Sequence, residues 1–180
     1  MGTSLSTGKA ETLAWFTENQ KSITRILDIG SGCGTYIDLI KINNKICVDS
    51  EWIGIEAWKN YITEFKLEEK YNRVINQDAR TLDWNSLGKF SVVIAGDVLE
   101  HMTKEEAIIL VDQALNFCDT MIISIPIIHM PQDAVNGNPF EIHVKDNWSH
   151  DEVMDTWKNY IKSYYKKSSK TKVAVYWLSR

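Results

Sequence analysis

Apolar positions along the chain switch repeatedly between two spacings. Over residues 9–19, Leu13 and Phe16, with Trp15 beside them, recur at helical spacing. Residues 23–29 read as a strand that ends in a run of glycines, and residues 35–42 return to helical spacing through Ile37 and Ile40. Residues 52–55 predict a short strand, 58–65 a helix and 73–76 a brief strand. The strand at 90–95 is stronger, because Val92, Val93 and Ile94 run together as in a strand buried on both faces. Thr103 and Glu106 have the spacing of a capping box and open a helix, and residues 120–125 form the next strand. Ser149 and Glu152 repeat the capping spacing and predict a helix running to about Lys162. Residues 164–166 and 172–178 predict a hairpin across the polar turn 167–171. Within it Val173, Val175 and Trp177 alternate with Lys172, Ala174 and Tyr176, as in a half-buried strand.

Strand and helix alternating in this way imply an open α/β sheet with helices on both faces and right-handed connections. Ligands of such sheets bind beyond the carboxyl ends of the strands, at the point where strand order reverses. The three prolines, Pro126, Pro131 and Pro139, fall within fourteen residues and mark one long irregular segment after the fifth strand.

Composition narrows the class. A chain of 180 residues fits one domain, and 44% apolar with 24% charged residues is ordinary for a globular protein, which excludes disordered and coiled-coil readings. The longest apolar run, residues 121–128, is interrupted by Ser124 and Pro126 and falls far short of the ~20 residues of a membrane span, so no membrane partner is expected. Residues 1–9 lack the apolar stretch of a secretory signal. Cys33, Cys47 and Cys118 are odd in number and widely spaced, which points to a reducing, cytoplasmic setting. The net charge of −4 conceals an asymmetry: residues 158–180 carry seven basic and no acidic side chains, and the remainder carries 13 basic and 24 acidic ones.

The first strand runs through Leu27, Asp28 and Ile29 into Gly30-Ser31-Gly32-Cys33-Gly34. Alternate glycines let the backbone turn sharply and approach a ligand. A dinucleotide fingerprint needs its third glycine where Thr35 stands. Asp28, two residues before the first glycine, would repel a pyrophosphate but suits a ligand with ammonium and sulfonium charge. Three more segments follow strands in order: Glu56 after the second, Gln77-Asp78-Ala79 after the third, and Gly96-Asp97-Val98-Leu99-Glu100-His101 after the fourth.

These four segments, in this order, resemble those of the class I S-adenosylmethionine-dependent methyltransferases over residues 23–128. The resemblance implies a Rossmann-like, doubly wound, mostly parallel seven-stranded sheet with a C-terminal antiparallel hairpin and helices on both faces. It implies S-adenosylmethionine as cofactor, held by Asp28, Gly30, Ser31, Gly32 and Gly34, by Glu56 on the ribose hydroxyls, by Asp78 and Ala79 at the adenine, and by Asp97, Val98 and Leu99 along the methionine. The expected division is an N-terminal helical region (1–22), a cofactor-binding core (23–128), an acceptor-side loop (127–148) and a terminal helix and hairpin (149–180). Each acid also has a plainer reading. Asp28 can bond the turn's own backbone, Glu56 can be a solvated strand end, Asp78 a turn residue and Asp97 a helix entry.

Methyl transfer from a sulfonium is an in-line displacement, and orientation alone can supply roughly 7–11 kcal/mol of its acceleration. A general base adds about 10²–10⁴-fold. The candidates are His101, at the end of the post-strand segment, and Glu141 and His143 in the long loop, whose alternation puts them on one side of an extended backbone. The alternative for His101 is packing or helix capping near Thr103, and for the loop a structural role anchored by Pro139, Phe140 and Trp148. No metal site is expected: Asp97 and His101 lack a third ligand of suitable spacing, and a set of His129, Glu141 and His143 is the remaining grouping. The expected acceptor is a small molecule methylated on oxygen or nitrogen. Two other readings stay open: RNA or protein methylation through the basic C-terminal stretch with its interleaved tyrosines, and a non-catalytic cofactor-binding protein. Base methylation of DNA is disfavoured, since residues 97–100 lack the Pro-Pro-aromatic motif and no Pro-Cys dipeptide occurs.

Overall fold

The computed structural model describes residues 6–168 and 171–180. Seven strands, β1 (Arg25–Ile29), β2 (Glu51–Glu56), β3 (Arg73–Asn76), β4 (Phe90–Gly96), β5 (Cys118–Pro126), β6 (Ile161–Tyr165) and β7 (Val173–Leu178), form one sheet in the order β3-β2-β1-β4-β5-β7-β6. β1 to β5 pair in parallel, and β7 runs antiparallel between β5 and β6. The order reverses between β1 and β4, so the carboxyl ends of these two strands flank the crevice where sheets of this kind bind ligands. The expected mostly parallel, seven-stranded Rossmann-like sheet with a C-terminal antiparallel hairpin is the observed one.

The helices are α1 (Lys9–Asn19), α2 (Thr35–Ile37), α3 (Lys59–Glu64), α4 (Leu67–Lys70), α5 (Trp84–Leu87), α6 (Lys104–Phe117) and α7 (His150–Thr156). Two apolar cores result, one on each face of the sheet. Ile26, Trp52, Val92 and Ile122 meet Phe16 of α1, Ile37 of α2 and Leu67 of α4. Their chain neighbours Leu27, Ile53, Val93 and Ile123 meet Trp84 of α5, Leu110 and Val111 of α6 and Val153 of α7. The alternation follows from the two-residue period of a strand.

Four local expectations are corrected. The helix expected over 35–42 is a single α-turn, α2, continued by a π-helical stretch, Asp38–Asn43; Asn44 Nδ2 and the Ile46 N–H bond the carbonyls of Leu39 and Ile40. The helix expected to reach Lys162 stops at Thr156, because Trp157 turns in against Trp148 and the chain must then pair as the edge strand β6. Only half of its capping box forms: Ser149 Oγ accepts the Glu152 N–H, but the Glu152 carboxylate turns to the ammonium groups of Lys104 and Lys145, at 2.9 and 3.2 Å. β7 is buried along its whole length rather than on one face, since it lies inside the sheet. The hairpin turn expected over 167–171 includes Ser169 and Lys170, which lie outside the described residues.

Candidate active site

Beyond the carboxyl ends of the parallel strands lies a cleft in two connected parts. One, with about 800 Å³ of open space, is bordered by Ser31, Tyr36, Gly96, Glu100 and His143. The other, about 640 Å³, is bordered by Glu56, Ala57, Asp78, Ala79, Val98 and Phe140. Gly30, Gly32, Asp97, His101 and Glu141 border both, so the two parts are halves of one site.

The glycine turn forms the floor between the halves. Gly30 and Gly32 have φ of 65° and 52°, in the left-handed region that side chains resist. A Cβ on Gly30 would also stand 2.5 Å from Val98 Cγ2. The turn is tied to the end of β2, where the Ser31 N–H donates to the Ile55 carbonyl at 3.0 Å and the Gly32 N–H to Glu56 Oε2 at 2.9 Å. Glu56 Oε1 accepts the Trp58 N–H at 2.8 Å, and burial pushes the pKa of Glu56 up.

Three of the expected cofactor residues line neither half. Asp28 is 2% exposed behind the turn, where its Oδ2 accepts the Tyr71 hydroxyl at 2.5 Å and burial pushes its pKa up to about 7. Gly34 caps α2 against the Lys70 side chain, and Leu99 is fully buried in the core. Asp78 does border the cleft, but its carboxylate holds Arg80, with Nη2 at 2.6 Å from Oδ2. Those hydrogen bonds hold the Asp78 pKa down, and Arg80 Nη1 reaches on to Glu106 Oε1 at 3.1 Å.

Asp97, after β4, has φ of 57°, a conformation costly for a residue with a side chain and concentrated at functional sites. It is held there by Ser124, whose Oγ donates to Asp97 Oδ1 at 2.8 Å while the Ser124 carbonyl accepts the Asp97 N–H at the same distance. Gly96 is required by a close approach, since a Cβ there would lie 2.0 Å from Tyr36 Cε2. Lys9 Nζ sits 3.9 Å from the Tyr36 ring centroid, with no hydrogen-bond partner among the described residues. Burial lowers its pKa, and the charges of Asp97 and Asp28 oppose that shift.

The long loop is folded back onto the post-β4 segment. The N–H groups of Val144 and Lys145 both donate to the Glu100 carbonyl, at 2.8 and 3.0 Å, which brings His143 to His101 with ring centroids 4.8 Å apart. His101 Nδ1 lies 3.1 Å from the Ile142 carbonyl and His143 Nδ1 2.5 Å from the Met130 carbonyl. Carbonyl partners assign the proton to Nδ1 in both rings and leave each Nε2 with its lone pair. Burial lowers the His101 pKa and favours the neutral ring. Glu141 borders both halves of the cleft, so the three acceptor-side candidates come together. The grouping of His129 with Glu141 and His143 does not form, because His129 is exposed and pairs with Asp146 at 3.2 Å. Among the described residues Glu100, His101 and His143 instead offer ligand atoms within 4.8 Å of one another. Sequence reasoning gave Glu100, Tyr36, Lys9 and Arg80 no role of their own. Only Glu100 had a visible signal, its place in the post-β4 segment.

No protein-family model and no curated protein sequence matches this chain. Solved structures do. The N-terminal domain of EvdMO1 with S-adenosylhomocysteine bound superposes with a TM-score of 0.69 at 16% identity, covering 98% of this chain and 83% of that one. The magnesium protoporphyrin IX methyltransferase of Synechocystis PCC 6803 with S-adenosylmethionine bound gives 0.66 at 16% identity, covering 96% and 78%. A S-adenosylmethionine-dependent methyltransferase from Clostridium acetobutylicum gives 0.69 at 11% identity, covering 97% and 92%. The chain therefore has the class I S-adenosylmethionine-dependent methyltransferase fold.

Proposed function

We propose that this chain is a methyltransferase that uses S-adenosylmethionine to methylate an oxygen or nitrogen of a small-molecule acceptor. The observation that carries the reading is the continuity of the cleft. It runs from Glu56 and Asp78, across the glycine turn and Asp97, to His101, Glu141 and His143. The cofactors bound to the EvdMO1 domain and to the Synechocystis enzyme, in structures of the same fold, support it. The adenosine would occupy the half bordered by Glu56, Asp78, Ala79 and Val98. Each Glu56 oxygen has one backbone donor, so each keeps acceptor capacity for a ribose hydroxyl. The methionine would lie over Gly30, Ser31 and Gly32 beside Asp97. The sulfonium methyl would then point towards His101, Glu141 and His143, which would hold the acceptor and take up its proton. In this reading residues 1–180 form one methyltransferase domain, with 127–148 as the acceptor-side loop, in a cytoplasmic setting that suits three free thiols.

The test is release of S-adenosylhomocysteine from S-adenosylmethionine across a panel of small hydroxyl and amine acceptors, followed by mass spectrometry. His143→Ala is expected to lower turnover by about 10²–10⁴-fold, the usual contribution of an acid–base group. Its affinity for the cofactor should stay within about twofold of the parent, because His143 borders the half away from the adenosine acids. An unchanged turnover would return the loop to a structural role.

A further inference from the structure

Glu100 is not accounted for by cofactor binding or by acid–base chemistry. Its side chain is 2% exposed, borders the cleft, and its Oε2 has no hydrogen-bond partner among the described residues. A buried carboxyl oxygen without a donor is strongly unfavourable unless a cation or donor joins it. Asp97, three residues away, adds negative charge to the same place, and Lys9 offsets it only in part.

Opposite Glu100 stand two imidazoles already fixed in one tautomer. The Ile142 and Met130 carbonyls take the Nδ1 protons of His101 and His143. The Nε2 lone pairs remain, and the three side chains offer ligand atoms within 4.8 Å of one another. Histidine ligands of metals are oriented in this way, with the second ring nitrogen bonded to a carbonyl or carboxylate. We propose that Glu100, His101 and His143 form a binding site for a divalent transition-metal ion, with its remaining coordination positions open to the acceptor side of the cleft.

Two imidazoles and one carboxylate suit Zn²⁺ and related borderline ions. Mg²⁺ and Ca²⁺ take oxygen ligands. Bonds of 2.0–2.2 Å in a tetrahedral zinc site hold the ligand atoms about 3.3 Å apart, so the side chains would close by roughly 1.5 Å from their 4.8 Å limit. The hydrogen bonds from Val144 and Lys145 to the Glu100 carbonyl keep the loop in position for that closure.

One consequence rests on the proposed methyl transfer; the site itself does not. A metal-bound acceptor hydroxyl loses its proton more readily. With His101 and His143 serving as ligands rather than as bases, that proton would pass to Glu141 or to water. The alkoxide oxygen would then form a bond to the methyl carbon as the carbon–sulfur bond breaks, its electron pair staying on sulfur to give neutral S-adenosylhomocysteine. The acceptor class would be a hydroxyl-bearing small molecule rather than an amine.

The experiment uses the full chain freed of metal by dialysis against a chelator and titrated with Co²⁺. One equivalent should be taken up, with the intense visible absorption of low-coordinate cobalt, and Zn²⁺ should displace it. Glu100→Gln and His143→Ala should each weaken Co²⁺ binding at least tenfold, whereas His129→Ala should bind as the parent does. Thermal melts and a parallel S-adenosylmethionine titration check that each variant is folded. A folded chain that binds S-adenosylmethionine but neither Co²⁺ nor Zn²⁺, or variants that bind Co²⁺ as tightly as the parent, would overturn the site. Metal uptake by a folded chain that fails to bind S-adenosylmethionine would uphold the site and remove the methyl-transfer reading.

Discussion

Asp28 shows how far burial moves a single residue away from the role its position implies. Its native pKa of about 7 is raised chiefly by burial, against the opposing effects of the Tyr71 hydrogen bond and of Lys9. In the unfolded chain an Asp titrates near ~3.9. Between about pH 4 and pH 7 the native state therefore holds a proton that the unfolded state has released, and stability falls as pH rises through that window. Asp28→Asn keeps an acceptor for Tyr71 but cannot ionise. The stability of the parent relative to this variant should fall between pH 4 and pH 7, by at most about 4 kcal/mol, and stay level above pH 7. Urea unfolding of both proteins at several pH values measures the difference, and a gap that widens in favour of the parent with rising pH would contradict the assignment. At this scale the sequence showed the residues whose role depends on following a strand: Gly30 and Gly32, Glu56, Asp78 and Asp97 all border the cleft. It did not show Tyr36, Lys9 or the isolation of Glu100 Oε2, because those arise from packing between distant elements.

The strands were legible because parallel strands buried on both faces read as continuous apolar runs. The end of α7 was not, because it is decided by tertiary contact. Trp157 and Trp148 are each 1% exposed and stack with centroids 5.5 Å apart, and this pairing stops the helix and sends the chain to the sheet edge. Trp148 also closes the long loop that carries His143. Trp157→Ala should cost about 3–5 kcal/mol of unfolding free energy, and Trp157→Phe clearly less, since the smaller ring still fills much of the space. Chemical denaturation gives both numbers, and a loss below about 1 kcal/mol for the alanine variant would mean that the tryptophan pair does not fix this element. The Ser149–Glu152 spacing misled for a related reason. Two lysine ammonium groups draw the Glu152 carboxylate more strongly than the single N–H that would complete the box.

For the whole molecule, the strand order with its reversal between β1 and β4 decides where chemistry can sit. Both the glycine turn after β1 and the strained Asp97 after β4 flank that reversal. The basic stretch expected from composition divides along the sheet. β7 is interior; Lys162 lies on the edge strand β6, where it discourages pairing with another strand, and Lys158, Lys167, Lys172 and Arg180 are exposed outside both strands. No helix among the described residues is long and apolar enough to cross a membrane. Uptake of S-adenosylmethionine by the cleft is measured by calorimetric titration of the intact chain with S-adenosylmethionine beside its Glu56→Ala variant. One site per chain is expected, with a dissociation constant on the order of micromolar, weakened at least ~10-fold in the variant. No heat of binding from the folded parent, equal binding by the variant, or tighter binding of NAD would contradict it.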